Sequence, residues 1–284
     1  MTETEKKKGI LYVVATPIGN LEDITMRALR VLGDVDLVAA EDTRHTRKLL
    51  SHFGINKPLL SYYKDKEIGR SDKIVEELLQ GRHVALVSDA GTPGISDPGA
   101  VLVEKCYENN IDIQVVPGPS AVAAALSISG LAYSAFTFLG FLPSKQSQRK
   151  KILGSIAQQE NLFVFYESPR RIIQSLLDCH EILGERSVVV ARELTKIHEE
   201  VLRGNLSDVI DSLQQKSIVK GEFVVLISPN KLTQPVLVND LPELLRWYKD
   251  ESGLSMKDSV KKLSTDLNLS RSLVYKEALI IWKS

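Results

Sequence analysis

From Gly9 onward, short apolar runs alternate with segments whose apolar positions recur every three or four residues. Runs of the first kind read as buried strands and segments of the second kind as amphipathic helices. Strand runs fall at Ile10–Ala15, Val35–Ala40, Leu59–Tyr62, Val84–Val87 and Ile111–Val116. Helical periodicity fills the intervals at Asp23–Leu32, Thr43–His52, Ile68–Gln80, Pro98–Glu108 and Ala121–Leu126. Gly81 stands where a C-cap glycine would stop the third of these. Alternation on this scale predicts an α/β domain with a largely parallel sheet.

Around Gly130–Pro143 the pattern changes. Further strand runs follow at Ala135–Leu139, Leu162–Tyr166, Ser187–Ala191, Glu200–Leu202 and Phe223–Ile227, with helices at Pro169–Leu183 and Leu206–Gln214. No helix separates Ser187 from Leu202, so an antiparallel hairpin is expected there, within a second, mixed α/β domain. Pro229–Pro242 reads as a linker, and Glu243–Ser284 as helical. In that last part Ser255 with Asp258 resembles a capping box opening Met256–Asp266. Asn268-Leu269-Ser270 makes a turn into Arg271–Trp282, which gives a helix-turn-helix-like pair. The expected organisation is a disordered tail (1–8), an N-terminal α/β domain (9–120), a second α/β domain (121–228), a linker (229–242) and a small C-terminal helical domain (243–284).

A chain of 284 residues suits about two domains of ordinary size. Lys+Arg and Asp+Glu both number 36, so the net charge is zero and any basic surface must be local. The best basic patch is Pro143–Lys151, with Lys145, Arg149, Lys150 and Lys151 and no acid. Cys106 and Cys179 both fall in predicted helices among apolar neighbours, which suits buried free thiols and no disulfide framework. The five histidines show no metal-ligand spacing, so no metal is expected. No apolar run approaches the roughly 18 residues that a membrane span needs. The polar start MTETEKKK lacks the apolar core of a signal peptide. These features point to a reducing, cytoplasmic setting without membrane contact.

The stretch richest in chemistry is Ser88–Gly99, SDAGTPGISDPG, between a strand and a helix. A mere connection needs roughly two to six residues. Gly91, Gly94 and Gly99 permit positive φ and close approach to a ligand, while Pro93 and Pro98 stiffen the loop. Asp97-Pro98 suits a helix start, an N-cap followed by proline at the first helical position. Asp89 is then left without a structural task at the carboxyl end of a strand, where open α/β sheets bind ligands. Thr16–Asn20 and Pro117–Ala121 occupy equivalent strand ends, so the three loops converge on one crevice. None carries a P-loop or G-x-G-x-x-G pattern. An aspartate beside exposed backbone suits a neutral or cationic ligand, such as one with a sulfonium, a ribose and an adenine.

Thr16-Pro17-Ile18-Gly19-Asn20-Leu21, Ala40-Glu41-Asp42-Thr43-Arg44, Ser88–Gly99 and Pro117-Gly118-Pro119-Ser120-Ala121 together resemble the tetrapyrrole methylase superfamily, and in detail its ribosomal RNA branch. Tyr166-Glu167-Ser168-Pro169-Arg170-Arg171, Ala191–Lys196 and Lys220-Gly221-Glu222-Phe223 extend the likeness to about Ser228. Many members of the superfamily carry Gly-Asp-Pro at the central loop, where this chain has Ser88-Asp89-Ala90; that departure argues against a porphyrinoid substrate. The resemblance implies two α/β domains with S-adenosylmethionine in the cleft between them, a homodimer, and transfer of a methyl group to the 2′-hydroxyl of a cytidine in small-subunit ribosomal RNA, free or in the 30S subunit. Carried over by position, it implies cofactor contacts from Pro17, Asp89, Gly91, Thr92, Ser120 and Ala121, with backbone near Tyr166 and Gly221 adding to them.

Methylation of an alcohol is helped by a base that removes the hydroxyl proton late in the reaction. Glu167 ends a predicted strand just before a Ser-Pro helix start, with Ser168 placed to cap, and is the candidate base. Arg44 and Arg170 are candidates to position RNA phosphate. Asp42 and Thr43 also fit as N-caps, and Glu193 with Lys196 also fits a surface ion pair. Lys145, Arg149, Lys150 and Lys151 are the candidate RNA contacts, against the alternative of a charged solvent loop. Two other functions share parts of this pattern: a small-molecule tetrapyrrole methylase, and a ligand-sensing regulator whose helical tail binds DNA.

Overall fold

Five strands, four of them buried or half-buried along their whole length, build the first lobe in the computed structural model, which describes residues 7–229, 241–267 and 269–283. In chain order the elements are β1 (Leu11–Val14), α1 (Met26–Asp34), β2 (Leu37–Ala40), α2 (Thr43–His52), β3 (Leu59–Ser61), α3 (Glu67–Leu79), β4 (Val84–Val87), α4 (Ala100–Glu108) and β5 (Ile113–Val116). The sheet runs β3-β2-β4-β1-β5 and every pairing is parallel. Alternate residues of β4 serve opposite faces: Val84 and Leu86 pack with α3 and α4, Ala85 and Val87 with α1 and α2. Parallel strands covered on both faces explain the unbroken apolar runs in the sequence.

The second lobe continues with α5 (Ala121–Ser129), β6 (Phe136–Phe141), α6 (Gln146–Ile156), β7 (Leu162–Glu167), α7 (Ile172–Leu183), β8 (Ser187–Arg192), β9 (Glu200–Asn205), α8 (Leu206–Gln214) and β10 (Phe223–Ile227). Its sheet is mixed, in the order β6-β7-β10-β8-β9, with β6 parallel to β7 and all other neighbours antiparallel. The expected hairpin is β8–β9. Helices α6, α7 and α8 cover one face, around Phe163, Phe165 and Val225. The other face, with Val164, Val189 and Leu226, packs on Val122 and Ala125 of α5 and on Ile18 from the first lobe. Both lobes belong to one compact unit ending at Pro229.

The smaller C-terminal unit contains α9 (Leu241–Asp250), α10 (Met256–Asp266) and α11 (Arg271–Lys283). Leu241, Leu245, Val260, Leu263, Val274, Ala278 and Ile281 form its core. Ser255 caps α10, its hydroxyl accepting from the Asp258 amide (3.2 Å). Most of the expected tail and linker lies outside the described residues. Of their described members, Lys8 donates to the Asn109 carbonyl (2.9 Å), and Pro242 stands in the first turn of α9, where a missing N–H costs nothing.

Among the helices that differ from the sequence reading, two show a local reason at once. Thr25, whose hydroxyl accepts from the Ala28 amide (3.1 Å), starts α1 three residues after the expected position. The stretch from Gln146 to Ile156 is the helix α6 and not a charged loop, because Arg149, Leu153 and Ile156 form a buried stripe at helical spacing.

Candidate functional site

The three glycine- and proline-rich loops of the first lobe are bound to one another at the carboxyl ends of β1, β4 and β5. Thr16 and Gly91 exchange both backbone hydrogen bonds (2.9 and 3.0 Å). The Thr16 hydroxyl donates to the Ser88 carbonyl (3.1 Å), and the Thr92 hydroxyl donates to the Pro119 carbonyl (3.3 Å). Gly91 is needed for its φ of 83°, which a side chain rarely adopts. Its N–H is already committed to Thr16, so the residue shapes the wall and does not present a free donor.

Between these loops and the second lobe lies a cleft of about 370 Å³, within the range of roughly 300–1,000 Å³ usual for small-molecule sites. It is lined by Asp89, Gly91, Thr92, Ser120 and Ala121 from the first set of expected contacts, and by Tyr166 and Gly221 from the second. Pro17 is buried and lies outside the lining; its neighbour Ile18 takes that place. Glu41, Asp89, Asp97 and Glu222 bring four carboxyl groups to the lining, Glu167 contributes to the wall with its carboxylate turned to α7, and among the described lining residues Lys196 is the only cation.

Asp89 has a structural task after all. Its Oδ1 accepts from the Asp42 amide (3.0 Å), while its own amide reaches Glu41 Oε2 (3.4 Å). Asp42 in turn caps α2, accepting from the Arg44 amide (2.8 Å). Asp97 does not cap α4, which begins after Gly99; it lines the cleft instead. Burial raises the proton affinity of Asp97, and the Asp89 charge adds to that against a hydrogen bond from Ser88. Burial also raises Glu41, and the charge of Asp97 reinforces it. Burial pushes the Tyr166 phenol up to about 12, with Asp97 contributing, so it stands in the cleft as a neutral hydroxyl.

The remaining expected residues are placed differently from one another. Glu167 is 1% exposed. Its Oε1 accepts from the Ser168 amide (2.8 Å) and its Oε2 from the Ser175 hydroxyl (2.6 Å) and Arg171 Nη2 (3.2 Å). Those bonds tie it to the start of α7, so its geometry is that of an anchor and not of a free base. Ser168 does not cap α7 through its side chain; its carbonyl accepts from the Arg171 and Ile172 amides, and Arg171 holds the N-cap position. Arg170 is exposed, next to the lining residues Ser168 and Pro169. Arg44 is exposed as well, and its guanidinium pairs with Asp42 (2.7 Å).

Arg149 is not an RNA-facing residue. It is 3% exposed and pairs with Asp178, itself 1% exposed, inside the second lobe. Lys150 pairs with Glu181 (2.6 Å). Lys145 and Lys151 remain exposed, so the basic segment offers two open charges in place of four. The Glu193–Lys196 pair is no isolated surface contact either. Lys196 Nζ donates to both Glu193 and Glu222 at 2.9 Å, from a loop in which Glu193 and Thr195 adopt φ of 50° and 64°. Thr195 Oγ1 accepts from the Asn20 amide (3.0 Å), joining this loop to the first lobe. Gly221 is required here, since a Cβ would lie 2.5 Å from Glu193 Cγ.

Asp97 and Phe141 line the cleft although no sequence signal assigns them to it. Asp97 reads as a cap because Asp-Pro so often starts a helix. Phe141 follows a glycine at the end of a strand run, which was the only local sign of its exposure.

Residues 10–210 match the family model described as Tetrapyrrole (Corrin/Porphyrin) Methylases. The chain belongs to the tetrapyrrole methylase family. A relative from Synechocystis sp., named ribosomal RNA small subunit methyltransferase I, is 45% identical over 95% of this chain and 98% of its own length. One of the same name from Thermotoga maritima is 47% identical over 78% of this chain and 98% of its own length. Among solved structures, the methyltransferase CobJ superposes with a TM-score of 0.61 at 19% identity, over 78% of this chain and 95% of that one. That likeness establishes the tetrapyrrole methylase fold for the two lobes. S-adenosylmethionine is the methyl donor of the family. The lining suits it: carboxyl groups for a sulfonium and an ammonium, and apolar Ile18, Ala121, Ala191 and Leu194 for an adenine face. Among the described residues no helix is long and apolar enough to cross a membrane, and no group of three His, Cys, Asp or Glu is placed to hold a metal ion.

Proposed function

We propose that this chain transfers a methyl group from S-adenosylmethionine to the 2′-hydroxyl of a cytidine ribose in small-subunit ribosomal RNA. The observation that carries this reading is the acidic cleft with a single cation, in a chain whose relatives are named for that RNA. When bound, S-adenosylmethionine supplies a methyl group made electrophilic by its sulfonium. Asp89, Gly91, Thr92, Ser120 and Ala121 would hold it from the first lobe, and Tyr166 and Gly221 from the second. Such a displacement is in-line, so the alignment fixed by the mutually bonded loops supplies much of the rate.

The chain's other tasks are to orient the ribose and to take up a proton. Glu41, a carboxyl in the cleft with raised proton affinity, is matched to accept a hydroxyl proton late in the reaction. Carboxylates repel phosphate, so the RNA backbone stays at the rim and only the neutral ribose and base enter. The exposed Arg44, Arg170, Lys145 and Lys151 are the cations assigned to that backbone. The same acidity disfavours a macrocycle bearing several carboxylate side chains. The functional unit is a homodimer in the cytoplasm, and light scattering of the purified chain tests the dimer.

The test is nucleoside mass spectrometry of small-subunit RNA from cells with and without the gene. One ribose-methylated cytidine is lost without the gene and returns on incubation with the purified chain and S-adenosylmethionine. An unchanged nucleoside profile refutes the reading.

A further inference from the structure

Strand β6 is one edge of the second sheet, and its pairing with β7 slips by one residue. Phe136, Thr137 and Phe138 oppose Leu162, Phe163 and Val164, but Phe141 then opposes Tyr166. Three steps along β6 thus match two along β7, the signature of a bulge. Gly140, at φ 62°, is the residue that makes the slip possible. Regular pleating would put Phe141 on the same face as Thr137 and Leu139. The extra residue turns it to the face of Phe138 and Tyr166, the face that looks into the cleft.

The ring placed there is both exposed and rigidly backed. Phe141 is 58% exposed, although it lines the cleft. Tyr166 stands edge-on between two phenylalanines, 5.5 Å from Phe141 and 5.0 Å from Phe138 between ring centres. The next residue, Leu142, is buried and its carbonyl accepts from Arg171, so the backbone cannot swing the ring away. The other large exposed apolar side chain on the lining is Ile95, 47% exposed. The deeper apolar lining, Ile18, Ala191, Leu194 and Val224, is at most 9% exposed. An apolar lip thus borders an acidic interior.

We propose that Phe141 is the platform on which the base of the methylated nucleotide stacks once it has left its RNA partner. This rests on the ribose-methylation reading above. A base withdrawn from its stack needs a replacement surface, and proteins that read single-stranded RNA supply it with aromatic rings. The position at the lip, and not among the buried apolar residues, assigns Phe141 to the RNA base and leaves the cofactor adenine to the deeper wall.

The experiment compares wild type with F141A, F141L and F141W. Methyl transfer is measured on 30S subunits from cells lacking the gene, and S-adenosylmethionine affinity by calorimetry. Loss of one base-stacking contact predicts a drop in kcat/KM for the subunit of about tenfold to a hundredfold in F141A. F141L shares most of that loss because it lacks a π face, F141W recovers most of the activity, and cofactor affinity stays within about twofold throughout. Because the ring is exposed, melting temperatures should match; G140A, which strains the bulge and misplaces the ring without removing it, should reproduce the loss. Equal activity of F141A and wild type overturns the proposal, as does full activity of F141L, or a loss confined to cofactor affinity. A wild-type chain that binds the cofactor yet leaves the subunit unmethylated overturns the parent reading, and this one with it.

Discussion

Replacing Arg149 with alanine removes the cation from a pair that is almost fully enclosed. Its Nε donates to Asp178 Oδ2 (2.7 Å) and its Nη1 to the carbonyls of Pro143 (3.0 Å) and Ser144 (3.2 Å). The variant leaves Asp178, 1% exposed, with Gln146 (2.8 Å) and Gln174 (3.3 Å) as donors and Lys150 4.0 Å away. Stranding one partner of a buried pair costs about 3–5 kcal/mol. In a unit of this size each kcal/mol lowers Tm by about 2–4 °C, so a fall of about 6–20 °C is expected in R149A. Scanning calorimetry of the full chain measures it. The companion double variant R149M/D178L, which leaves no enclosed charge at this position, should recover most of the loss. Salt titration of RNA binding separates this from a surface role: removing a phosphate contact flattens the dependence on log salt by roughly 0.7–0.9. Burial predicts an unchanged slope in R149A at temperatures where it is folded. A melting temperature within about 2 °C of wild type together with a flattened slope would sink the argument.

Other predictions follow the same logic. Burial alone would raise Asp178, but hydrogen bonds from Gln146 and Arg149 and the Arg149 charge outweigh it and hold its carboxyl below the ordinary range. The folded state therefore binds this proton less readily than the unfolded chain. Its contribution to stability is present above about pH 4 and is lost as the pH falls further, which acid titration of Tm reads. E167Q should lower stability by about 1–3 kcal/mol through its broken bonds at the start of α7, while the pH–rate profile keeps its shape; a shifted acid limb would restore Glu167 as the base. G221A should melt early, since its Cβ meets Glu193 and its φ of 102° disfavours a side chain. Cys106, whose thiol burial pushes up to about 11, and the fully buried Cys179 should resist alkylation in the native chain and react on unfolding. Prompt native labelling of either would contradict the packing described.

The parallel sheet was legible because β1, β2 and β4 are covered on both faces and so read as unbroken apolar runs. Strand β10 and helices α2, α8 and α10 fall on the expected residues because their ends carry local signals, such as Asp42 and Ser255 at helix starts. What could not be read was pairing across distance. Arg149 looks like surface charge until α6 forms and Asp178 arrives from α7. Glu167 looks free until Ser175 and Arg171 turn back onto it. The bulge at Gly140 depends on β7, a strand more than twenty residues later, so no window around Phe141 contains the reason for its exposure.

The order of strands in the first lobe also sets a timetable for the nascent chain. Strand β1 has no neighbour until β4 and β5 exist, with Leu11 waiting for Val84 on one side and Ile113 on the other. At translation speeds of about 5–20 residues per second, that interval lasts roughly 5–20 seconds. For about 4–15 seconds of it, until β4 emerges, the four residues Leu-Tyr-Val-Val have both edges unpaired, and the β5 edge stays open to the end, which makes this segment the natural client of a chaperone during synthesis.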